Sequence, residues 1–167
     1  MKLTSAEASK LLNSLNAEKK MLLNKEEQSC VFIAATCETL EDACPEYSYS
    51  DMQMQLYDLD KKIRILKHAI NVFNVTCVLP VYDMTIDQAL VYIPQLSAIK
   101  QKLERMSGRL PKTRIRDGSG SDIIEYSYAN YDVLDAELDY KNVSFELARL
   151  QNCLDLANST IEFEVDI

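Results

Sequence analysis

The chain has 167 residues and a mass of 19.0 kDa, with 47% hydrophobic residues, a formal net charge of −8, one His, no Trp, three Gly and four Pro. This apolar content excludes a disordered chain, and the scarcity of Gly and Pro favours long regular elements within a single domain. The acidic sum excludes a surface that is basic all round, as a general nucleic-acid binder needs.

The opening "MKLTSAEASKLLNSLNAEKK" alternates polar and apolar residues at helical spacing and lacks the continuous apolar core of a signal peptide. No run approaches the roughly 20 apolar residues that span a bilayer, so a cytoplasmic location and no membrane contact are expected. A first helix is predicted from about Ser5 to Gln28, with Ala8, Leu12, Leu15, Leu22 and Leu23 on its apolar face. Lys19 interrupts that face, and its stem can lie along it. The run "CVFIAA", Cys30 to Ala35, either continues this helix or forms a short strand.

The second helix carries Met52, Leu56, Leu59, Ile63, Leu66, Ile70 and Phe73 at alternating spacings of four and three, which is a coiled-coil seam. Ser50 and Asp51 are the expected start, an oxygen acceptor for free amides and a charge that suits the helix dipole. The connection "NVTCVLPVYDMT" is apolar and is expected to pack against something. Thr85 and Gln88 have capping-box spacing at the head of the third helix. Its apolar positions are Ile86, Ala89, Ile93, Leu96, Ile99, Leu103, Met106 and Leu110, with one extra spacing of three near Pro94. A proline there removes a helical hydrogen bond and clashes with the Leu90 carbonyl, which predicts a kink or a break.

The third helix is expected to end around Gly108, and "RLPKTRIRDGSGSD" has linker composition, so a mobile connection over about 108–121 is predicted. After it, Ile124, Tyr126 and Tyr128 alternate with Glu125 and Ser127 as a strand does. The fourth helix repeats the seam through Val133, Ala136, Tyr140, Val143, Leu147, Leu150, Leu154 and Ala157. The closing "TIEFEVDI" alternates again and reads as a strand that covers the end of the helices and pairs with the Ile123–Tyr128 strand.

Apolar stripes of this length must face one another. The expected fold is mainly α: antiparallel hairpins of helix 1 with 2 (about 5–75) and 3 with 4 (about 85–157), in a four-helix bundle or elongated coiled coil. A small β-sheet of short strands lies at the helix ends.

Little catalytic or cofactor chemistry is encoded. A proton-transferring triad needs an imidazole, and the sole one, His68, falls opposite the second helix's seam. Cys30, Cys37 and Cys44 recur every seventh residue, whereas zinc sites pair ligands about two to four residues apart, and no Glu-x-x-His motif serves a di-metal bundle. The five cysteines read as reduced thiols. Phosphate-binding glycine loops are absent. The expectation is therefore a non-enzymatic protein with no cofactor and no metal.

The one site candidate is a basic block in an otherwise acidic chain: Lys100, Arg105, Arg109, Lys112, Arg114 and Arg116, with Lys102 beside them. Its favoured reading is charge pairing with the acidic fourth helix and residues 38–60, inside the chain or between subunits. The second reading is salt-sensitive binding of nucleic acid or another anionic partner.

The order of parts carries a resemblance. The heptad-rich first hairpin, Asn71 with "Asn74-Val75-Thr76", "TIDQAL", "TRIRDGSGSDIIEY" and "LDLANST" together resemble a family of short bacterial coiled-coil proteins of unknown role, sometimes labelled septicolysin-like. That resemblance spans nearly the whole chain and implies a helical fold and a bacterial or phage origin, with no catalytic residue. Where the family pattern has a Trp in the closing motif, this chain has Ser159. The functional expectation is a self-associating structural or protein-interaction module, a homo-oligomer with a protein partner as a further option and nucleic acid the less favoured one.

Overall fold

The computed structural model describes residues 1–115 and 124–167. Its elements run β1 (Lys2–Thr4), α1 (Ser5–Ser29), the one-turn α2 (Leu40–Ala43), α3 (Tyr49–Thr76), β2 (Val78–Leu79), β3 (Met84–Thr85), α4 (Ile86–Ser107), β4 (Lys112–Arg114), β5 (Tyr126–Tyr128), α5 (Val133–Thr160) and β6 (Glu162–Glu164). The fold is mainly α with minor antiparallel strand pairs, as the heptads required. The described residues form two compact units, Met1–Asn74 with Ala157–Ile167, and Val75–Leu156.

In the first unit α1 and α3 are antiparallel. Gln53 donates to Glu26 at 2.7 Å and Lys19 donates to Asp60 at 2.6 Å, so seven residues forward along α1 correspond to seven backward along α3. Ala8 and Leu15 pack with Leu59, Ile63 and Leu66 of the opposing seam and with Val165 beyond β6. Lys19 is half-buried on this face, as its stem allows. The α3 seam is buried at Met52, Leu56, Leu59, Ile63, Leu66 and Phe73. Its start lies earlier than Ser50: the helix begins at Tyr49, and the Ser48 hydroxyl accepts from the Asp51 amide. At the other end, Thr4 and Glu7 make a full capping box on α1. The Cys30–Ala35 run is neither helix nor strand, and Val31 and Ile33 lie exposed.

The closing strand does not pair with Ile123–Tyr128. β6 pairs antiparallel with β1, Lys2 opposite Glu164 and Thr4 opposite Glu162. Leu3 and Phe163, directly opposed, turn to the core, and Phe163 stacks on Phe73 at 4.7 Å with an interplanar angle of 22°. Such an offset pair contributes about 0.5–1.5 kcal/mol beyond its buried area. The sequence reading overlooked β1 because a three-residue strand before a strong cap leaves no periodicity.

In the second unit α4 and α5 are antiparallel: Tyr92 meets Glu146 while the Tyr131 hydroxyl reaches the Met106 carbonyl at 2.8 Å. The apolar connection folds as a hairpin, with Leu79 opposite Met84. Leu79 is fully buried, which answers where that stretch packs. Asp83 closes the turn at φ 49°, a left-handed conformation that Asp adopts more readily than branched residues. The expected Thr85–Gln88 capping box is present. Helix α4 runs unbroken through Pro94, so no break occurs there.

The α4 seam differs instructively from its sequence reading. Ile86, Ala89, Ile93, Leu96, Lys100 and Leu103 are buried or half-buried at alternating spacings of three and four, with no extra spacing of three beside Pro94; Tyr92, Met106 and Ser107 are half-buried as well. Ile99, taken for a seam residue because it is apolar, is 44% exposed. Lys100 occupies the position instead, its ammonium 5.9 Å from the Tyr140 ring of the facing seam. A long stem with a cation over an aromatic face replaces an aliphatic contact.

Candidate functional site

The basic block breaks into parts with different surroundings. Lys100 is held in the α4–α5 seam. Arg105 lies in the last turn of α4, its Nε donating to the Gln101 carbonyl at 3.3 Å. Arg109 follows the Gly108 C-cap and is exposed. Lys112 and Arg114 belong to β4. Arg116, with the "DGSGSD" linker, lies outside the described residues; the described part of the expected 108–121 connection contains β4.

The salt bridges among the described residues are Lys19–Asp60 and Lys141–Glu137, neither involving the block. Among the described residues, the block's cations make no salt bridge with acids of the fourth helix, and Lys100 and Lys112 lie over aromatic rings.

β4 pairs antiparallel with β5, Lys112 opposite Tyr128, Thr113 opposite Ser127 and Arg114 opposite Tyr126. Directly opposed residues share a face, and alternate residues along a strand do too. Lys112, Arg114, Tyr126 and Tyr128 therefore lie on one face of the ribbon, with Glu125 turned to the other. Both strands are exposed throughout. The two rings are 6.4 Å apart and inclined by 51°, and the Lys112 ammonium lies 4.1 Å from the Tyr126 centroid and 5.4 Å from that of Tyr128. Sequence reasoning found the cations and the Tyr-bearing strand but not their union, because pairing across more than ten residues leaves no local signal.

A second polar group lies in the α4–α5 hairpin. Tyr92 donates to Glu146 Oε1 at 2.7 Å, and the Tyr82 hydroxyl donates to the Glu146 carbonyl at 3.4 Å. The bond to Glu146 holds the Tyr92 phenol above its usual value near 10.0, and burial is the main cause of the same rise at Tyr82. A phenol kept protonated beside a carboxylate fastens helices but supplies no base near neutral pH. His68 is exposed on α3, as its place opposite the seam implied. Burial pushes the Cys77 thiol up, away from thiolate chemistry. Among the described residues, no three or more His, Cys, Asp or Glu converge as a metal site, and no helix is long and apolar enough to cross a membrane.

No family model and no curated protein matches the chain. Among solved structures, the fold is similar to that of a functionally unknown conserved protein from Corynebacterium diphtheriae, over 98% of this chain and all of the other, with a TM-score of 0.58 and 16% identity. The likeness establishes a shared architecture.

Proposed function

We propose that this is a cytoplasmic, non-enzymatic protein that self-associates and serves as a structural or protein-interaction module. The observation that carries the reading is a second apolar stripe on α5. Leu134, Leu138 and Phe145 are 72%, 59% and 71% exposed. At about 100° per residue they fall within about 40° of one another, on the side of α5 away from Ala136, Leu147, Leu150 and Leu154. A helix with one buried and one exposed apolar stripe has surface to bury against another molecule.

The occupant is a second copy of this chain. In a two-fold dimer the same three side chains supply both halves of the contact, so no separate partner stripe is needed. The resemblance to the septicolysin-like family, carried by the quoted stretches and the order of the two hairpins, belongs to this proposal. Sedimentation velocity over a micromolar concentration series tests it. A dimer is expected for the native chain, and a monomer of unchanged helicity for the double variant Leu138→Glu, Phe145→Glu; a native chain that stays monomeric throughout overturns the reading.

A further inference from the structure

We infer that the exposed face of the β4–β5 ribbon is a binding platform for single-stranded nucleic acid, formed by Lys112, Arg114, Tyr126 and Tyr128. The four residues are brought together by register alone, Lys112 opposite Tyr128 and Arg114 opposite Tyr126. Each cation thus stands across from a ring. Single-strand binders need both elements: cations that follow the phosphates, and aromatic faces on which successive bases stack without regard to sequence. The two rings, 6.4 Å apart on one face, offer separate surfaces on which successive bases can stack.

Charge placement selects an anionic ligand. The chain carries −8 overall, yet this quartet holds two cations and no acid, and neither cation is engaged in an ion pair among the described residues. What occupies the rings is the Lys112 ammonium, 4.1 Å from Tyr126. A nucleotide displaces that contact with little loss, since the ammonium exchanges a ring face in water for a phosphate and the ring exchanges a cation for a base. A duplex presents phosphates but no open base faces, and a polyanion without rings presents charge alone; neither uses the tyrosines.

The test is fluorescence anisotropy of a labelled oligothymidylate of about twelve nucleotides, at about 50 mM salt, with the full chain. Saturable binding is expected, weaker with rising salt. Tyr126→Ala with Tyr128→Ala raises Kd by about tenfold or more, whereas Tyr126→Phe with Tyr128→Phe leaves it within about twofold, because stacking needs the ring and not the hydroxyl. Lys112→Ala with Arg114→Ala weakens binding and lowers the slope of log Kd against log salt by about 1.4, at about 0.7 per cation for a single strand. Heparin and poly-glutamate, polyanions without bases, serve as competitors: their binding is expected to be indifferent to the tyrosine substitutions. Absence of saturable oligonucleotide binding overturns the proposal. So does binding that the tyrosine-to-alanine pair leaves unchanged, which identifies a simple polyanion site. Should the alanine pair lose the ribbon, seen as lost far-ultraviolet signal, the Phe pair and the Lys112/Arg114 pair decide the matter alone.

Discussion

Leu150→Ala and Leu138→Ala make the same chemical change on opposite faces of α5, and their comparison separates core from outer stripe. Leu150 has 0% of its surface exposed and Leu138 has 59%. Removing three carbons from a buried leucine forfeits about 2.4 kcal/mol of transfer free energy at about 0.8 kcal/mol per carbon. A cavity left partly uncollapsed adds about 1 kcal/mol, so Leu150→Ala is expected to cost about 3–4 kcal/mol. With a urea slope near 2 kcal/mol/M for a chain of this size, the midpoint falls by about 1.5–2 M. At Leu138 about two fifths of the transfer term applies and no enclosed cavity forms, so the cost in the monomer is about 1 kcal/mol or less. Urea titrations followed by circular dichroism at low protein concentration measure both. At high concentration the Leu138 variant is expected to lose further ground, because association stabilises the native chain by mass action and the variant less so. Equal losses at the two sites, or a loss at Leu150 under about 1 kcal/mol, refute the assignment of faces.

Three further outcomes follow from particular contacts. Thr85→Ala removes the hydroxyl that accepts from the Gln88 amide and is expected to cost about 1 kcal/mol by thermal or urea unfolding, with Thr85→Ser recovering most of it. Phe163→Ala deletes the stack on Phe73 and the β6 contribution to the first unit's core; a loss of about 2–3 kcal/mol is expected, with faster amide exchange at Lys2–Thr4 as the local sign. Glu146→Gln removes the negative charge facing Tyr92, so its phenol ionises at lower pH, read as tyrosinate absorbance. A folded value raised above the unfolded one means that this contribution is complete below the ordinary tyrosine value near 10.0 and is lost as pH rises through the raised one; the Gln variant therefore shows a shallower alkaline loss of stability.

The long helices were legible because their seams are redundant: two misread positions among the eight of α4, Ile99 and the exposed Leu110 beyond its end, leave the helix standing. Ile99 and Lys100 show the limit of that redundancy. Apolarity chose Ile99, while geometry chose Lys100, whose stem and ammonium satisfy a seam opposite Tyr140 in a way that a hydrophobic pattern does not count. Strand partners were less legible. Alternation in "TIEFEVDI" identified a strand, but pairing with Lys2–Thr4 depends on where the helices bring the chain, and the better-looking Tyr-rich strand was already claimed by Lys112–Arg114. For the candidate site, counting charges found the block. Lys100 and Lys112 meet aromatic rings within the chain, a pairing that a tally of opposite charges does not count.

The β1–β6 pairing has a bearing on how the chain is made. Residues 75–156 are contiguous, so the second unit can close its contacts as soon as that stretch has left the ribosome. The first unit must wait, since Phe163 and Val165 are synthesised only after residues 75–156, and the Met1 amine meets the Val165 carbonyl across a sequence separation of 164. Until then Phe73 lacks its stacking partner and the Lys2–Thr4 edge has open backbone groups. That interval is the period in which nascent chains are most exposed to mispairing with one another, and slow loop closure over so long a separation prolongs it.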